Sequence, residues 1–359
     1  MQLSVVVVVY NMRREAARTL LSLSADYQRG IDRDAYEVIV VENGSTAPLD
    51  PAEIEKLPGN FRYLSLAGAG PSPAPAVNRG LREARGAVVG VMIDGARIAT
   101  PGLLRYALLG ARLYPRTVVA TLGWYLGREY QRVALARGYD RAQEDLLVER
   151  VAWPSDGYRL YEIGTLDESC NQGWFGPIAE SNALFLRREL WAELGGIDER
   201  FDAAGGGFVN LDTFVRACEL PGSELVILLG EGTFHQLHGG VATNAPPDVH
   251  EANLRCWEAQ YTRIRGTPYA LPEKRRSYLG MMPEPAVSHF LTTPAKVTIT
   301  RLRGEVEVLK AELALARTEV ALIRGSRSFR LTAPLRLGAD WARAARAWMA
   351  RRRGRVEEE

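Results

Sequence analysis

Short apolar segments near the N-terminus constrain the fold of this chain most strongly. Near-continuous segments occupy residues 4–9, 36–41 and 87–93, and a more polar one occupies residues 61–66. Apolar runs that do not alternate with polar residues indicate strands buried on both faces, as in a parallel sheet covered by helices. Leucines and alanines at helical spacing lie between these segments, at 14–23 and 76–85. We therefore predict an α/β fold with an open, mostly parallel sheet flanked by helices.

The composition is that of a globular protein and excludes several other classes. The chain has 359 residues, of which 47% are hydrophobic and 25% charged, and no apolar run is long enough for a transmembrane helix. The N-terminus lacks the basic region and cleavage site of a signal peptide, so we interpret it as a strand. Three widely spaced cysteines predict a reduced, cytoplasmic chain, and a net charge of +2 argues against nucleic acid as a partner.

The C-terminal part of the sequence has a different organisation. Proline and glycine between residues 266 and 298 predict a linker or arm, and residues 299–325 follow a heptad pattern. Its apolar positions are Leu302, Val306, Leu309, Leu313, Ala316, Val320 and Ile323. This spacing predicts a coiled-coil helix and therefore a homodimer, with an amphipathic helix packed on its own domain as the alternative.

The last segment, residues 326–359, is basic and contains Trp341 and Trp348. Arginines interleaved with tryptophans are typical of an amphipathic segment on an anionic membrane surface. We therefore expect a cytoplasmic chain that is peripheral at the inner face of a membrane. A solvated basic tail is the alternative.

Polar residues follow three of the predicted strands. They are Tyr10-Asn11, Glu42-Asn43-Gly44-Ser45 and Asp94-Gly95. Ligands of open α/β sheets bind outside the carboxyl ends of the strands, so these residues predict one site. A dinucleotide-binding Rossmann site is excluded because the turn at 10–14 contains no glycine, and a P-loop is also absent.

Five segments resemble, in order, family 2 glycosyltransferases of the GT-A fold. They are SVVVVVYNMRREAARTLLSL, YEVIVVENGST, GPSPAPAVNRGLREARG, GVMIDGA and ESNALFLRRELWAELGGIDERFD, and the resemblance covers residues 2–240. It implies a GT-A domain over 1–265, with a nucleotide-sugar-binding half (1–100) and an acceptor half (101–265). The implied reaction moves a sugar, with inversion, from a nucleotide-sugar to a glycan, lipid-linked or small-molecule acceptor, and UDP- or dTDP-sugars are favoured.

The resemblance also implies residues that bind the donor. Val9, Tyr10 and Asn11 match the loop that lines the base pocket. Glu42 stands where the family usually has an aspartate that contacts the base or ribose. The remaining expected donor-binding residues are Asn43, Asn78, Arg79, Asp94 and Gly95.

Asp94 matches the first acid of the family's Asp-x-Asp motif, which implies a role in catalysis through Mn²⁺ or Mg²⁺. Ala96 stands where the second acid is expected, so the metal requirement stays open. His235 and His238 match a late histidine of the family and are the further expected ligands; hydrogen bonding to nearby loops is the alternative. Arg97 is a candidate for replacing part of the cation's charge.

The expected catalytic base is less well matched. Val209 and Asn210 occupy the place of the family's acidic pair, so Asp212 is the candidate base, with helix capping as an equal alternative. Glu180, Asp198 and Asp202 are reserve candidates. The expected acceptor-binding residues are Trp174, Glu180, Ser181 and Asn182, and Phe175 is a second candidate for stacking on a sugar.

Two other functions are alternatives to a glycosyltransferase. A catalytically degenerate GT-A fold that serves as an oligomeric scaffold would explain the missing acids. A sugar nucleotidyltransferase shares the sheet, but its glycine-rich N-terminal signature is absent.

Overall fold

The computed structural model describes residues 1–241 and 243–326. The chain divides into two compact units, Met1–Pro294 and Ala295–Glu359. All strands of the described residues lie in the first unit. They are Leu3–Val9 (β1), Tyr36–Glu42 (β2), Phe61–Ser65 (β3), Val88–Met92 (β4), Arg97–Ala99 (β5), Thr117–Leu126 (β6), Gly164–Leu166 (β7), Leu184–Arg187 (β8), Glu224–His235 (β9) and Arg276–Gly280 (β10).

The α-helices alternate with these strands through most of the chain. They are Arg13–Ser22 (α1), Pro51–Glu55 (α2), Ala74–Glu83 (α3), Leu103–Gly110 (α4), Gln131–Ala136 (α5), Arg141–Arg150 (α6), Arg188–Leu194 (α7), Val209–Glu219 (α8), Pro247–Arg265 (α9) and Glu284–Gly325 (α10). Within the described residues, none of them is both long and apolar enough to span a bilayer.

The strands form one open sheet in the order β10-β9-β6-β8-β4-β1-β2-β3, with β5 paired to β9 and β7 to β6. β1 runs parallel to β2 and β4, whereas β8 is antiparallel to both β4 and β6. The predicted α/β class and open sheet flanked by helices are confirmed, and the antiparallel pairings of β5, β7 and β8 make the sheet mixed. Because Val9 pairs with Glu42 and Val7 with Met92, the carboxyl ends of β1, β2 and β4 lie together.

Alternate residues of β1 enter two hydrophobic clusters, one on each face of the sheet. Val6 and Val8 pack in a cluster that includes residues of α3, α7 and α8. Val5 and Val7 pack in the other cluster, with residues of α1 and α4. A fully buried valine contributes about 1.5–3 kcal/mol relative to an exposed one, so burial on both faces explains the unbroken valine run.

The second half of the sheet differs in detail from the expectation. The sequence pattern predicted separate strands at 225–229 and 232–235, but β9 continues through both, with an irregular register opposite Ala120 and Leu122. The expected linker at 266–298 contains β10, which pairs in parallel with β9, and the first part of α10. These contacts were not visible in the sequence because β10 is short and only partly buried.

In the second unit, α10 presents large apolar side chains to solvent. Those at the predicted heptad positions are Leu302, Val306, Leu309, Leu313, Val320 and Ile323, which are between 46% and 62% exposed. The predicted basic tail lies outside the described residues except for Ser326.

Candidate functional site

A cleft of about 1690 Å³ opens at the carboxyl ends of β1, β2 and β4. Tyr10 and Asn11 follow β1, Asn43 and Gly44 follow β2, and Asp94 follows β4, and all five line the cleft. The cleft therefore lies at the strand edge where the polar residues of the sequence predicted a ligand site.

Asp94 lies beside two histidines from the other half of the sheet. His235 is the last residue of β9, and its Nε2 is 2.9 Å from Asp94 Oδ2; His238 Nε2 is 3.6 Å from the same oxygen. The two Nε2 atoms are 3.1 Å apart. Two imidazole nitrogens and a carboxylate oxygen that converge in this way repel one another unless a proton or a cation lies among them.

The three side chains have a donor set that fits a divalent cation. Their ligand atoms all lie within 4.8 Å of one another, and imidazole nitrogen with carboxylate oxygen is a common ligand set for first-row divalent metals. Asp94 Oδ1 accepts a hydrogen bond from the Ala96 backbone N–H at 2.9 Å, which directs Oδ2 towards the histidines. Ala96 thus orients the carboxylate through its backbone, while its own side chain is fully buried.

Charge and burial act in opposite directions on this group. Burial alone would raise the pKa of Asp94, but His238 and His235 hold it well below its usual range. Burial lowers the pKa of His235 to about 4, against the opposing effect of Asp94. Burial also lowers the pKa of His238, but Asp94 outweighs it, so the His238 pKa is raised. His235 is therefore neutral near pH 7, with a nitrogen lone pair available for a metal.

Arg97 brings a buried positive charge to the same part of the cleft. Its side chain is only 6% exposed, with Nε 3.7 Å from Asp94 Oδ2 and Nη1 3.9 Å from Asp167 Oδ2. Neither nitrogen has a hydrogen-bond partner among the described residues. A buried guanidinium with unused N–H donors is suited to binding an anion such as a phosphate oxygen.

The opposite wall of the cleft carries Glu180, Asn182 and Asn210. Asn210 Nδ2 donates to Glu180 Oε2 at 2.6 Å, and Asn182 Nδ2 donates to Glu180 Oε1 at 3.3 Å. Burial and the nearby Asp167 raise the pKa of Glu180, although Arg97 and the two amides oppose the shift. This wall can therefore present a carboxylate whose proton affinity is raised.

Two predicted donor residues mainly organise the loop after β2. Asn11 has a φ of 51°, and its Oδ1 accepts hydrogen bonds from Thr46 N and Oγ1 at 2.9 and 3.0 Å. Glu42 is buried and accepts hydrogen bonds from Leu49 N and Ser45 Oγ. Glu42 is absent from the described cleft lining, so its carboxylate holds the loop that presents Asn43.

The structure places Asn78 and Arg79 away from the described cleft, contrary to the expectation of diphosphate contacts. Asn78 is buried, accepts from Ile197 N and donates to Ile197 O and Glu199, because it joins α3 to the loop after α7. Arg79 forms an ion pair with Glu83 on the same helix.

Four other predicted residues also lie outside the cleft lining. Val9 belongs to the buried core of β1, and a Cβ on Gly95 would lie 2.7 Å from Val8 O, so Gly95 permits close packing on β1. Trp174 is buried and donates to Leu228 O, which removes it from sugar stacking. Ser181 is buried, and its Oγ bonds to Thr121.

The candidate base Asp212 is also withdrawn from the cleft. It is fully buried, and Arg265 donates to both of its carboxylate oxygens, from Nε at 2.5 Å and from Nη2 at 2.7 Å. The reserve candidates Asp198 and Asp202 are engaged by Arg265 and Gln260, respectively. Their carboxylates therefore stabilise the contact with α9, and Glu180 is the reserve candidate that reaches the cleft.

Asp167 and Tyr125 also line the cleft, but the sequence did not predict them. Asp167 follows β7 just as Asp94 follows β4, which was the available signal. A three-residue strand is too short to be recognised by its pattern, so this signal was missed.

Comparisons with known proteins bear on the first part of the chain. Residues 4–105 match the family model described as glycosyl transferase family 2. None of the curated proteins compared with the chain matches it.

Solved structures share low sequence identity with the chain. S. aureus TarS is 14% identical, with 73% of this chain and 40% of TarS covered and a TM-score of 0.44. S. aureus TarS 1–349 in complex with UDP-GlcNAc is 14% identical over 73% of this chain and 67% of that one, with a TM-score of 0.44. The mannosyltransferase PcManGT from Pyrobaculum calidifontis, in complex with GDP-Man and Mn²⁺, is 17% identical. The match covers 92% of this chain and 82% of PcManGT, also with a TM-score of 0.44. The chain thus spans about two fifths of TarS. The segment from residue 4 to residue 105, which contains β1 to β5 and Asp94, is thus the part of the chain that is similar to glycosyl transferase family 2.

Proposed function

We propose that this chain is a glycosyltransferase that moves a sugar, with inversion, from a nucleoside diphosphate sugar to a glycan, lipid-linked or small-molecule acceptor. UDP- and dTDP-sugars are the favoured donors. The observation that carries the proposal is the convergence of Asp94, His235 and His238 beside buried Arg97, at the strand edge of the family 2 segment.

Asp94, His235 and His238 would hold Mn²⁺ or Mg²⁺, and the two imidazoles favour Mn²⁺. When bound, such a cation neutralises charge on the diphosphate leaving group. Arg97 contributes a fixed positive charge at the same place through its free Nε and Nη1. This charge would replace part of the positive charge of a cation that only one acid holds.

The cleft offers separate places for the base and the acceptor. Tyr10 is 52% exposed and can cover the nucleobase, while Asn43 can hydrogen-bond its edge. The acceptor would enter along Glu180 and Asn182 on the opposite wall. The proposed nucleotide-sugar half is residues 1–100 and the acceptor half is residues 101–265.

Calorimetric titration of UDP, dTDP and GDP, each with and without Mn²⁺, tests this function. We expect at least one nucleotide to bind, and to bind more tightly with Mn²⁺. Absence of binding for all of them, under both conditions, contradicts the proposal.

For the C-terminal region, we propose a homodimer through α10, because its exposed apolar residues repeat at spacings of three and four. We also propose that the basic segment, which lies beyond the described residues apart from Ser326, binds an anionic membrane surface on the cytoplasmic side. Liposomes of phosphatidylserine and phosphatidylcholine test this: the full chain should bind in a salt-sensitive way, and a chain ending at Gly325 should not.

A degenerate scaffold remains the second candidate function. It is favoured by Val209 and Asn210 at the place of the expected acidic pair, and by the apolar side chains exposed on α10. A scaffold would release no nucleotide from any sugar donor while its self-association persisted.

A further inference from the structure

The carboxylates that line the cleft differ in how they are held. Asp94 faces two histidines, and Asp167 accepts hydrogen bonds from Ser169 N and Oγ. Glu168 forms an ion pair with Arg132 at 2.6 Å. Glu180 is held by amides, and no cation pairs with it within the described part of the chain. Its oxygens therefore remain free to accept a proton.

Two asparagines fix the direction of the Glu180 carboxylate. The short bond from Asn210 Nδ2 reaches Oε2, and the longer bond from Asn182 Nδ2 reaches Oε1. Asn210 lies in the first turn of α8, and Asn182 lies just before β8. Each carboxylate oxygen has a second lone pair that these single bonds leave available, and the side chain is partly open to the cleft.

The surroundings of Glu180 favour proton uptake over a permanent negative charge. Burial is the largest cause of the raised pKa of Glu180, and the like charge of Asp167 adds to it. Arg97 opposes this shift. A general base is most effective when its pKa approaches the working pH. Asp212, by contrast, is held in an ion pair with Arg265.

We propose that Glu180 is the catalytic base of the transfer, and that Asn210 and Asn182 are positioning residues that aim its carboxylate at the acceptor hydroxyl. This inference rests on the proposed function. In the step, the acceptor oxygen forms a bond to the anomeric carbon while its proton passes to a Glu180 oxygen. The bond between the anomeric carbon and the phosphate oxygen breaks, and its electron pair leaves with the nucleoside diphosphate.

This assignment places the base on the strand-edge loop before β8, whereas the sequence pattern pointed to the start of α8. At that position, Asn210 cannot accept a proton, but its amide donates to the carboxylate that can. In this proposal, the carboxylate that accepts the proton belongs to Glu180, which contacts Asn210 and lies 30 residues earlier in the chain.

The test compares two attacking groups in the full chain with Mn²⁺, using UDP-glucose, UDP-GlcNAc and GDP-mannose as donors. Water must lose a proton to attack the sugar, whereas azide anion needs no base. For Glu180→Gln we expect water-dependent release of nucleoside diphosphate to fall at least about 100-fold, as expected for loss of a general base. Azide-dependent release should stay within a few-fold of the wild type.

Glu258→Gln is the matched control, since Glu258 is an exposed acid on α9 that lines the same cleft. If the water and azide reactions fall equally in Glu180→Gln, Glu180 has a structural role. If neither reaction falls, Glu180 is not the catalytic base. Release with azide but not with water in the wild type contradicts the proposed base as well. A wild type that binds none of UDP, dTDP and GDP in the calorimetric titration overturns the proposed function itself, which separates the two failures.

Discussion

Arg97 and His235 pair across the antiparallel strands β5 and β9. This pairing places Arg97 Nε and His235 Nε2 beside the same Asp94 oxygen, at 3.7 Å and 2.9 Å from Oδ2. One short ladder therefore sets the positions of two of the three charged or polar side chains beside Asp94 Oδ2, and His238 is the third.

Removal of the Arg97 charge should weaken nucleotide binding. A hydrogen bond to a charged group contributes about 1.5–3 kcal/mol, so Arg97→Gln is expected to reduce the affinity for UDP about 10- to 100-fold, with or without Mn²⁺. Calorimetry measures this, with Arg132→Gln as the control because Arg132 pairs with Glu168 at the cleft rim. An unchanged affinity in the absence of metal would show that Arg97 does not contact the diphosphate.

Loss of one ligand should disrupt cation binding even without a nucleotide. Asp94→Asn keeps the shape of the side chain but removes the anionic ligand, so we expect Mn²⁺ to bind at least about 10-fold more weakly. Electron paramagnetic resonance of free Mn²⁺ measures the affinity directly. Glu168→Gln changes a cleft carboxylate outside the cluster and should behave as the wild type. Equal Mn²⁺ affinity in both variants would place the metal elsewhere.

Stability should depend on pH through Glu231, a fully buried residue of β9. Burial raises its pKa to about 7, although Thr100 and Tyr158 donate hydrogen bonds to it. The folded chain thus retains a proton that the unfolded chain has lost, and this stabilisation is present below about pH 4.5 and lost as the pH rises through about 7.

In Glu231→Gln, the decrease in the free energy of unfolding between about pH 4.5 and pH 8 should be smaller by about 3 kcal/mol. Urea denaturation at a series of pH values provides the measurement. The exposed Glu224 of the same strand offers the control, Glu224→Gln, which should keep the wild-type slope. An unchanged slope in Glu231→Gln would mean that Glu231 is ionised in the folded chain.

Asp212 should matter for stability and not for the chemical step. Asp212→Ala leaves Arg265 without its buried partner, which we expect to cost about 3 kcal/mol in the free energy of unfolding. Urea denaturation measures this cost, and nucleotide release per folded molecule should change less than about twofold. If an Asp212→Asn variant folds and binds nucleotide but releases no nucleoside diphosphate from the donor, Asp212 is the catalytic base.

Self-association should depend on the heptad face of α10. Leu309→Asp and Leu313→Asp together are expected to give monomers in light scattering, because charges in an apolar seam oppose pairing. Leu315→Asp is the control, since Leu315 is 72% exposed and lies off the heptad positions. An unchanged mass in the double variant would contradict dimerisation through the heptad positions of α10.

The residues at the strand edge were predictable because short contiguous segments of the sequence identify them. The apolar runs of β1, β2 and β4 mark where each strand ends, and Tyr10, Asn43 and Asp94 follow at once. His235 likewise ends β9 and reaches the cleft. These positions need no information about distant contacts.

The remaining site residues depend on contacts that a linear pattern does not contain. Asp212 starts a helix like a base or cap, but its partner Arg265 lies 53 residues further along the chain. Asn78 bonds to Ile197, 119 residues away, and is therefore structural. The role of Glu180 emerges only from the side chains that surround it.

The buried side chain of Ala96 limits how this motif can change. Ala96 packs with the cluster that contains residues of α1 and α4, and it is 0% exposed. Restoring the two-acid motif by Ala96→Asp would put a carboxylate into that apolar layer, at a cost of several kcal/mol. Ala96→Asp alone would therefore destabilise the folded chain, and the packing around Ala96 opposes a second acid at this position.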